Sequence, residues 1–300
     1  MAERKRLIYF IVNTASGRGG NKLLTENIKT IFTTTQYKII LKHSLKPKDI
    51  AVFAEEAVRL FSDIVVACGG DGTIREVAKH TLKNKIKLGI IPLGSGNSLA
   101  ANLMIPKEKE GALKLIKEGF YRKIDVGYVN QHLFLSNMSL GLGAQLIFHY
   151  SKTPMRRRKG YFFALLKTLF KPNIKTKIKI KFKDQQKLVS PAIFFVSNSN
   201  QIGYGLSLTP EASLDDGKLD IVCSEESTFL SKLFLTYSLL VKNKIKKACV
   251  WRAQVVDFSI TKTNDEPFLI QIDGETLTIN SNVLLLSSLT RTLNVITARH

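Results

Sequence analysis

Cysteine is scarce in this 300-residue chain: Cys68, Cys223 and Cys249 lie far apart and form no CxxC pair. Their spacing excludes a disulfide-stapled framework and a cysteine zinc site, and it fits a reducing compartment. The five histidines, at positions 43, 80, 132, 149 and 300, form no HxxxH or HExxH pair, so they read as structural or solvent-facing. Long apolar runs are missing as well. Leu7 to Val12 spans six residues and ends at Asn13, too short for the core of a secretory leader. Thr228 to Val241 is broken by Lys232 and falls short of the roughly 20 residues that cross a bilayer. The expectation is a cytoplasmic protein, soluble or peripheral to a membrane. Neither GxxxxGK[ST] nor GxGxxG occurs, so no Walker A loop and no dinucleotide fingerprint is indicated.

Acid is the other shortage. Asp and Glu number 24 against 45 Lys and Arg, a net charge of +21, while 44% of residues are hydrophobic and 23% charged. This is a globular composition of about two domains' length, with a basic surplus that favours a polyanionic partner.

Residues 1–122 alternate short apolar runs with helix-period segments. The pattern predicts strands at 7–13, 37–42, 63–68 and 87–92 and helices near 19–32, 47–60, 73–83 and 107–118, the signature of a doubly wound parallel α/β domain. Beyond Val126 strand-like runs dominate: 126–130, 133–139, 175–183, 189–197, 218–223, 250–261, 267–272, 276–280 and 283–288. Helices are expected only at 160–170 and 228–241. An antiparallel sandwich-like second domain over 123–300 follows, its last residues returning to the first domain.

Three polar, glycine-bearing turns end strands of the first domain. Gly69-Gly70-Asp71-Gly72-Thr73 leads directly into a helix, where glycines admit a phosphate and the helix N-terminus favours an anion. Pro92-Leu93-Gly94-Ser95-Gly96-Asn97-Ser98 repeats the design one strand later, and Asn13-Thr14-Ala15-Ser16-Gly17-Arg18-Gly19-Gly20 adds a cation. Taken singly, each also reads as a tight strand-to-helix turn.

NTASGRGG, GGDGT and PLGSGN, in that order, resemble the diacylglycerol kinase catalytic family, which includes sphingosine kinases and bacterial lipid kinases. The resemblance continues through Thr209-Pro210-Glu211-Ala212-Ser213-Leu214-Asp215-Asp216-Gly217-Lys218-Leu219-Asp220 and Gln271-Ile272-Asp273-Gly274-Glu275, and so spans nearly the whole chain. It implies an ATP- and Mg²⁺-dependent kinase acting on a lipid hydroxyl, diacylglycerol or a sphingoid base, with the active site in the cleft between the domains. It implies further that Asp273 accepts the proton, and that Gly69, Gly70, Asp71, Gly72, Thr73 and Ser95 hold the nucleotide. Asn13 and Ser44, or His43 one residue earlier, border it. Asp71 would bind or orient the catalytic Mg²⁺, and a structural Mg²⁺ would map to the Asp216 side chain with the Ser213 and Lys218 main chains. Asp125 would link that site to the cleft through water, or cap a domain junction. Asp273-Gly274 equally reads as an ordinary hairpin turn, and Ser98 stands where many members carry Asp.

From Lys152 to Lys187 there are thirteen Lys or Arg and one acid, Asp184, interleaved with Tyr161, Phe162, Phe163, Leu165 and Leu166. Such a segment fits an anchor on an anionic membrane surface; the plainer reading is solvated strand and helix faces. No helix-turn-helix, RNA-binding aromatic signature or zinc finger marks a specific nucleic-acid binder. A soluble-metabolite kinase of the NAD kinase type and a catalytically silent membrane-binding relative are the alternatives.

Overall fold

The computed structural model describes residues 4–16, 21–33, 35–155, 157–170, 176–202, 206–225 and 251–299. The helix expected at 228–241, the basic residues Lys242 to Lys247, Gly17 to Gly20, Tyr204, Gly205 and Cys249 lie outside them. Two compact units form: Met1–Ile124 with Arg291–His300, and Asp125–Thr290.

In the first unit, strands β1 (Arg6–Asn13), β2 (Tyr37–Ser44), β3 (Ile64–Gly69) and β4 (Lys87–Pro92) make a parallel sheet in the order β2-β1-β3-β4. Ile8 to Val12 and Val65 to Cys68 are wholly buried. A parallel strand covered on both faces needs this continuous apolar run rather than an alternation, and each such side chain contributes about 1.5–3 kcal/mol on burial. Helices α1 (Asn21–Ile31), α2 (Pro47–Arg59), α3 (Asp71–Asn84), α4 (Ser98–Asn102) and α5 (Lys109–Glu118) connect the strands. The α2–α3 and α1–α5 pairs pack together, the two-sided cover of a doubly wound fold. Every strand C-terminus thereby opens at one edge of the sheet.

The second unit is an antiparallel sandwich. One layer holds β12 (Trp251–Val255), β11 (Leu219–Ser224), β10 (Ile193–Ser197), β7 (Asn137–Gly141), β14 (Phe268–Ile272) and β15 (Glu275–Ile279), in that order. The other holds β16 (Val283–Ile296), β13 (Asp257–Lys262), β8 (Ile178–Phe182) and β9 (Gln185–Val189), flanked by β5 (Tyr121–Val129) and β6 (His132–Phe134). Between the layers lie Met138, Phe194, Val196, Ile221, Ile270, Ile180, Phe258, Ile260 and Leu284, all buried. Alternation along β8 buries Ile178 and Ile180 and exposes Lys177, Lys179 and Lys181.

The structure departs from the sequence pattern in several places. The run 250–261 is two strands, broken at the exposed Val256, because β12 pairs β11 in one layer while β13 pairs β8 and β16 in the other. The run 175–183 is one arm of a hairpin that turns at Lys183, where φ is +49°. β16 runs to Ile296, and its last turn of chain pairs β4 through Val295 and Leu88. Helix α4 follows the 92–98 turn as its strand-to-helix reading expects, whereas α6 (Leu142–Ser151) was not expected. α6 carries apolar residues nearly all round, so it shows no helical stripe, and it lies against β7, β10, β14 and β15. Helix α7 (Arg157–Phe170) begins three residues before its expected start and packs on α6.

Candidate active site

In the first unit two of the glycine turns touch backbone to backbone. The Leu93 N–H donates to the Gly69 carbonyl at 2.8 Å, and a Cβ placed on Gly94 would lie 2.5 Å from the Gly70 Cα. Only glycine permits that approach. Asp71 fastens the turns a second time, its Oδ1 accepting the Ser98 N–H at 2.7 Å and so capping the start of α4. Asn97, at φ +49°, closes its own turn: Oδ1 accepts the Gly94 N–H at 3.0 Å and Nδ2 donates to the Gly94 carbonyl at 2.8 Å.

Helix α3 starts after Gly70 with no side-chain cap, which leaves its first turn suited to an anion. Asn13 donates through Nδ2 to Thr73 Oγ1 at 2.9 Å, tying the end of β1 to this turn. Ser44 is buried beside β1, its Oγ directed at the Val12 carbonyl, and its own carbonyl accepts the Thr14 hydroxyl at 2.6 Å. His43 is exposed one residue earlier. Ser95 is exposed at the tip of its turn. Asn13, Ser44, Gly69, Gly70, Asp71, Gly72, Thr73 and Ser95 thus share one edge of one sheet.

In the second unit Asp273 sits at φ +46° between β14 and β15, 6% exposed. Its Oδ2 accepts the Leu135 N–H at 2.8 Å, and Oδ1 accepts those of Ser136 at 2.8 Å and Asn137 at 3.1 Å. Its own N–H donates to the Asn137 carbonyl at 3.0 Å. The carboxylate therefore anchors the segment between β6 and β7. Gln271, with its carboxamide oxygen toward the turn, accepts the Gly274 N–H at 2.7 Å and donates to Ser139 Oγ at 2.9 Å. Glu275, two residues on, is exposed.

The acidic loop lies nearby in the same unit. Asp125 is wholly buried; its N–H donates to the Leu214 carbonyl at 2.6 Å and its Oδ2 accepts the Gly217 N–H at 2.6 Å. Asp216 Oδ1 accepts the Lys218 N–H at 3.0 Å, and Ser213 Oγ donates to Asp215 Oδ1 at 2.7 Å. Burial holds the Asp220 carboxyl above the usual carboxylate range, with Asp216 and Glu211 adding to the rise while Gln254 opposes it. Its Oδ2 is buried without a partner. Among the described residues no three His, Cys, Asp or Glu side chains converge as a metal-ligand set. One carboxylate with main-chain oxygens and water is nonetheless a donor set that magnesium accepts, and the crowded negative charge suits a cation. Burial pushes the Cys68 thiol far up and that of Cys223 to about 12, so neither is a nucleophile.

Among the described residues no helix is long and apolar enough to cross a membrane. Helix α7 leaves Phe162 58%, Phe163 43% and Phe170 73% exposed, with Lys159 and Lys167 exposed on the same helix. The Lys152 ammonium rests 4.1 Å from the Phe148 ring centroid. The sequence reading named Asn97 and Asp220 only as members of their motifs, with no role of their own, and missed Asn198, which no motif marks. Asn97 follows Gly-Ser-Gly and is a residue type that tolerates left-handed backbone.

Two family sequence profiles match the chain. One, described as the diacylglycerol kinase catalytic domain, covers residues 7–129; the other, described as the YegS C-terminal NAD kinase beta sandwich-like domain, covers 137–296. A diacylglycerol kinase of Staphylococcus aureus strain MRSA252 is 30% identical over 283 residues, 92% of this chain and 87% of that protein. Its counterpart in strain Newman matches equally, at 30% over 283 residues. Among solved structures, one from Bacillus anthracis strain Sterne, of a protein named as a diacylglycerol kinase, aligns with a TM-score of 0.80 at 21% identity, covering 99% of this chain and 97% of that one. A second from the same organism gives 0.74 at 19%, over 98% and 97%. At such identity the structures speak for the fold.

Proposed function

The chain belongs to the diacylglycerol kinase family of lipid kinases, and from that premise we propose that it transfers the γ-phosphate of ATP, with Mg²⁺, to a hydroxyl of a membrane lipid, diacylglycerol or a sphingoid base. The observation that carries the nucleotide half is the pair of glycine turns in backbone contact at the uncapped start of α3. Residues Gly69 to Thr73 hold phosphate there, Ser95 donates its hydroxyl from the facing turn, and Asn13 and Ser44 border the nucleotide.

The reaction forms a bond from the lipid hydroxyl oxygen to the γ-phosphorus and breaks the bridge to the β-phosphate, releasing ADP. The hydroxyl proton must go to a carboxylate. The 273–275 turn supplies it. Asp273 was the expected acceptor, but its oxygens already accept three backbone N–H groups. That burial and bonding favour Asp273 as the anchor of the turn, with the exposed Glu275 as the group that meets the hydroxyl. When bound, Mg²⁺ neutralises phosphate charge. Asp71 would hold or orient it in the first unit, and Asp216, with the main chains of Ser213 and Lys218, would hold a structural ion in the second.

Surface attachment follows from the substrate. The exposed phenylalanines of α7 and the lysines around them support peripheral binding to an anionic bilayer, each cation adding about 1 kcal/mol. The test is transfer of label from γ-labelled ATP to vesicles of phosphatidylglycerol containing diacylglycerol and sphingosine. A labelled lipid is expected, and it names the acceptor. Bound ATP with label passing only to a soluble acceptor would instead support the NAD kinase type of reading.

A further inference from the structure

We propose that Asn198 is a positioning residue that locks the 273–275 turn and the acidic loop 213–217 into one geometry. The inference rests on the kinase reading of this part of the second unit and adds a residue to it.

Asn198 follows β10 and is 0% exposed. Its Nδ2 donates to two carbonyls on separate segments, that of Asp125 at 2.9 Å and that of Leu135 at 2.9 Å. Its main-chain N–H donates to the Ser136 carbonyl at 2.9 Å, and the following N–H, of Ser199, reaches the same oxygen at 3.2 Å. Asn198 and Ser199 therefore grip Leu135 and Ser136 from their carbonyl side. The Asp273 carboxylate grips Leu135, Ser136 and Asn137 from their N–H side. A short segment held on both edges leaves Asp273, and with it Gly274 and Glu275, little freedom.

The second bond extends the lock. Asp125, whose carbonyl Asn198 holds, donates its N–H to Leu214 and accepts the Gly217 N–H, both at 2.6 Å. The path from the proton-accepting turn to the acidic loop thus runs Asp273, Leu135, Asn198, Asp125, Gly217, with a hydrogen bond at every step between segments far apart in sequence. The amide is irreplaceable by shape alone. An Asp at 198 would set oxygen against two carbonyl oxygens, and an Ala would leave both buried without their donor. Asn198 Oδ1 is itself buried and without a partner. A buried amide that leaves its own acceptor unmet is held there by what its two donors do.

The test uses the full chain with ATP, Mg²⁺ and diacylglycerol vesicles, comparing wild type with Asn198→Asp and Asn198→Ala. A displacement of about 1 Å in a reacting group costs up to roughly 100-fold, so kcat should fall about 10- to 100-fold while the KM for ATP stays within about 2-fold. Asn198→Ser, which keeps one donor, should recover part of kcat. A purely structural residue would lower Tm and leave kcat per folded molecule intact, and that result overturns the proposal. An inactive wild type would instead overturn the kinase reading beneath it. Hydrogen exchange on the wild type, which needs no variant to fold, gives the second measurement. The amides of Leu135, Ser136, Asn137, Asn198 and Gly217 should open as one unit with one protection; separate opening of 217 and 135–137 overturns the lock.

Discussion

Gly94→Ala probes the nucleotide turns most sharply. An added Cβ would stand 2.5 Å from the Gly70 Cα and 2.8 Å from Asn97 Oδ1. Carbon atoms rest at about 3.5 Å, so the two turns must part by about 1 Å. Neither obstacle is the end of a flexible side chain: one is backbone, and the other is a carboxamide held by two hydrogen bonds. Overpacking of this kind costs about 1–3 kcal/mol. If the turns separate, the cost falls on nucleotide affinity, roughly a 5- to 150-fold rise in the Kd for ATP by calorimetry. If they hold together, the strain lowers Tm instead, by about 2–4 °C for each kcal/mol in a chain of this size. Gly70→Ala, whose Cβ would meet the Gly94 Cα at 3.3 Å, should have a smaller effect of the same kind. A Gly94→Ala protein with wild-type Kd and wild-type Tm would show that the two turns are not in backbone contact.

Other consequences can be checked separately. Burial keeps the folded-state pKa of Asp220 above its unfolded value, so the stability this group contributes is greatest in acid and is lost as pH rises through that raised value. In EDTA, Asp220→Asn should therefore raise Tm at pH 7 and leave it unchanged at pH 3, as scanning calorimetry would show; a lower Tm at pH 7 would contradict the burial argument. Glu76 titrates at about 2, held down by His80, whose Nε2 lies 3.8 Å from its carboxylate, and by Lys79, whose ammonium donates to it at 2.7 Å. Its contribution is present above the ordinary carboxylate range and lost as pH falls through about 2, so Glu76→Gln should cost about 1 kcal/mol at pH 7 after solvent screening, and clearly less at pH 2, by urea melts. Phe162→Ser with Phe163→Ser should weaken co-sedimentation with phosphatidylglycerol vesicles several-fold and leave ATP affinity unchanged; equal sedimentation would remove α7 from the membrane contact.

What the sequence made legible follows from where each signal is local. Ile8 to Val12 and Val65 to Cys68 read as buried parallel strands because burial on both faces needs no alternation, and Gly69 to Thr73 read as a phosphate turn because strand, glycines and helix are contiguous. The role of Asp273 was not local. Its carboxylate bonds to residues 135–137, more than 130 positions away, and Asp-Gly looks the same in any hairpin. The break at Val256 was hidden for a related reason: both flanking strands alternate correctly, and only their different partners separate them. Helix α6 escaped because an apolar segment laid against four strands has no polar face to set a period.

The central claim is phosphoryl transfer to a lipid hydroxyl by a carboxylate of the 273–275 turn. Its most direct test compares Asp273→Asn and Glu275→Gln with wild type in the γ-labelled ATP and vesicle assay, with ATP affinity and Tm measured on each protein. Glu275→Gln should lose labelled lipid about 100-fold or more while folding and binding ATP as wild type does. Asp273→Asn, which places an NH₂ group against backbone donors, should lose stability together with activity. Full transfer by a folded Glu275→Gln protein, beside a stable but inactive Asp273→Asn, would return the proton to Asp273 and contradict the division of roles drawn from the geometry.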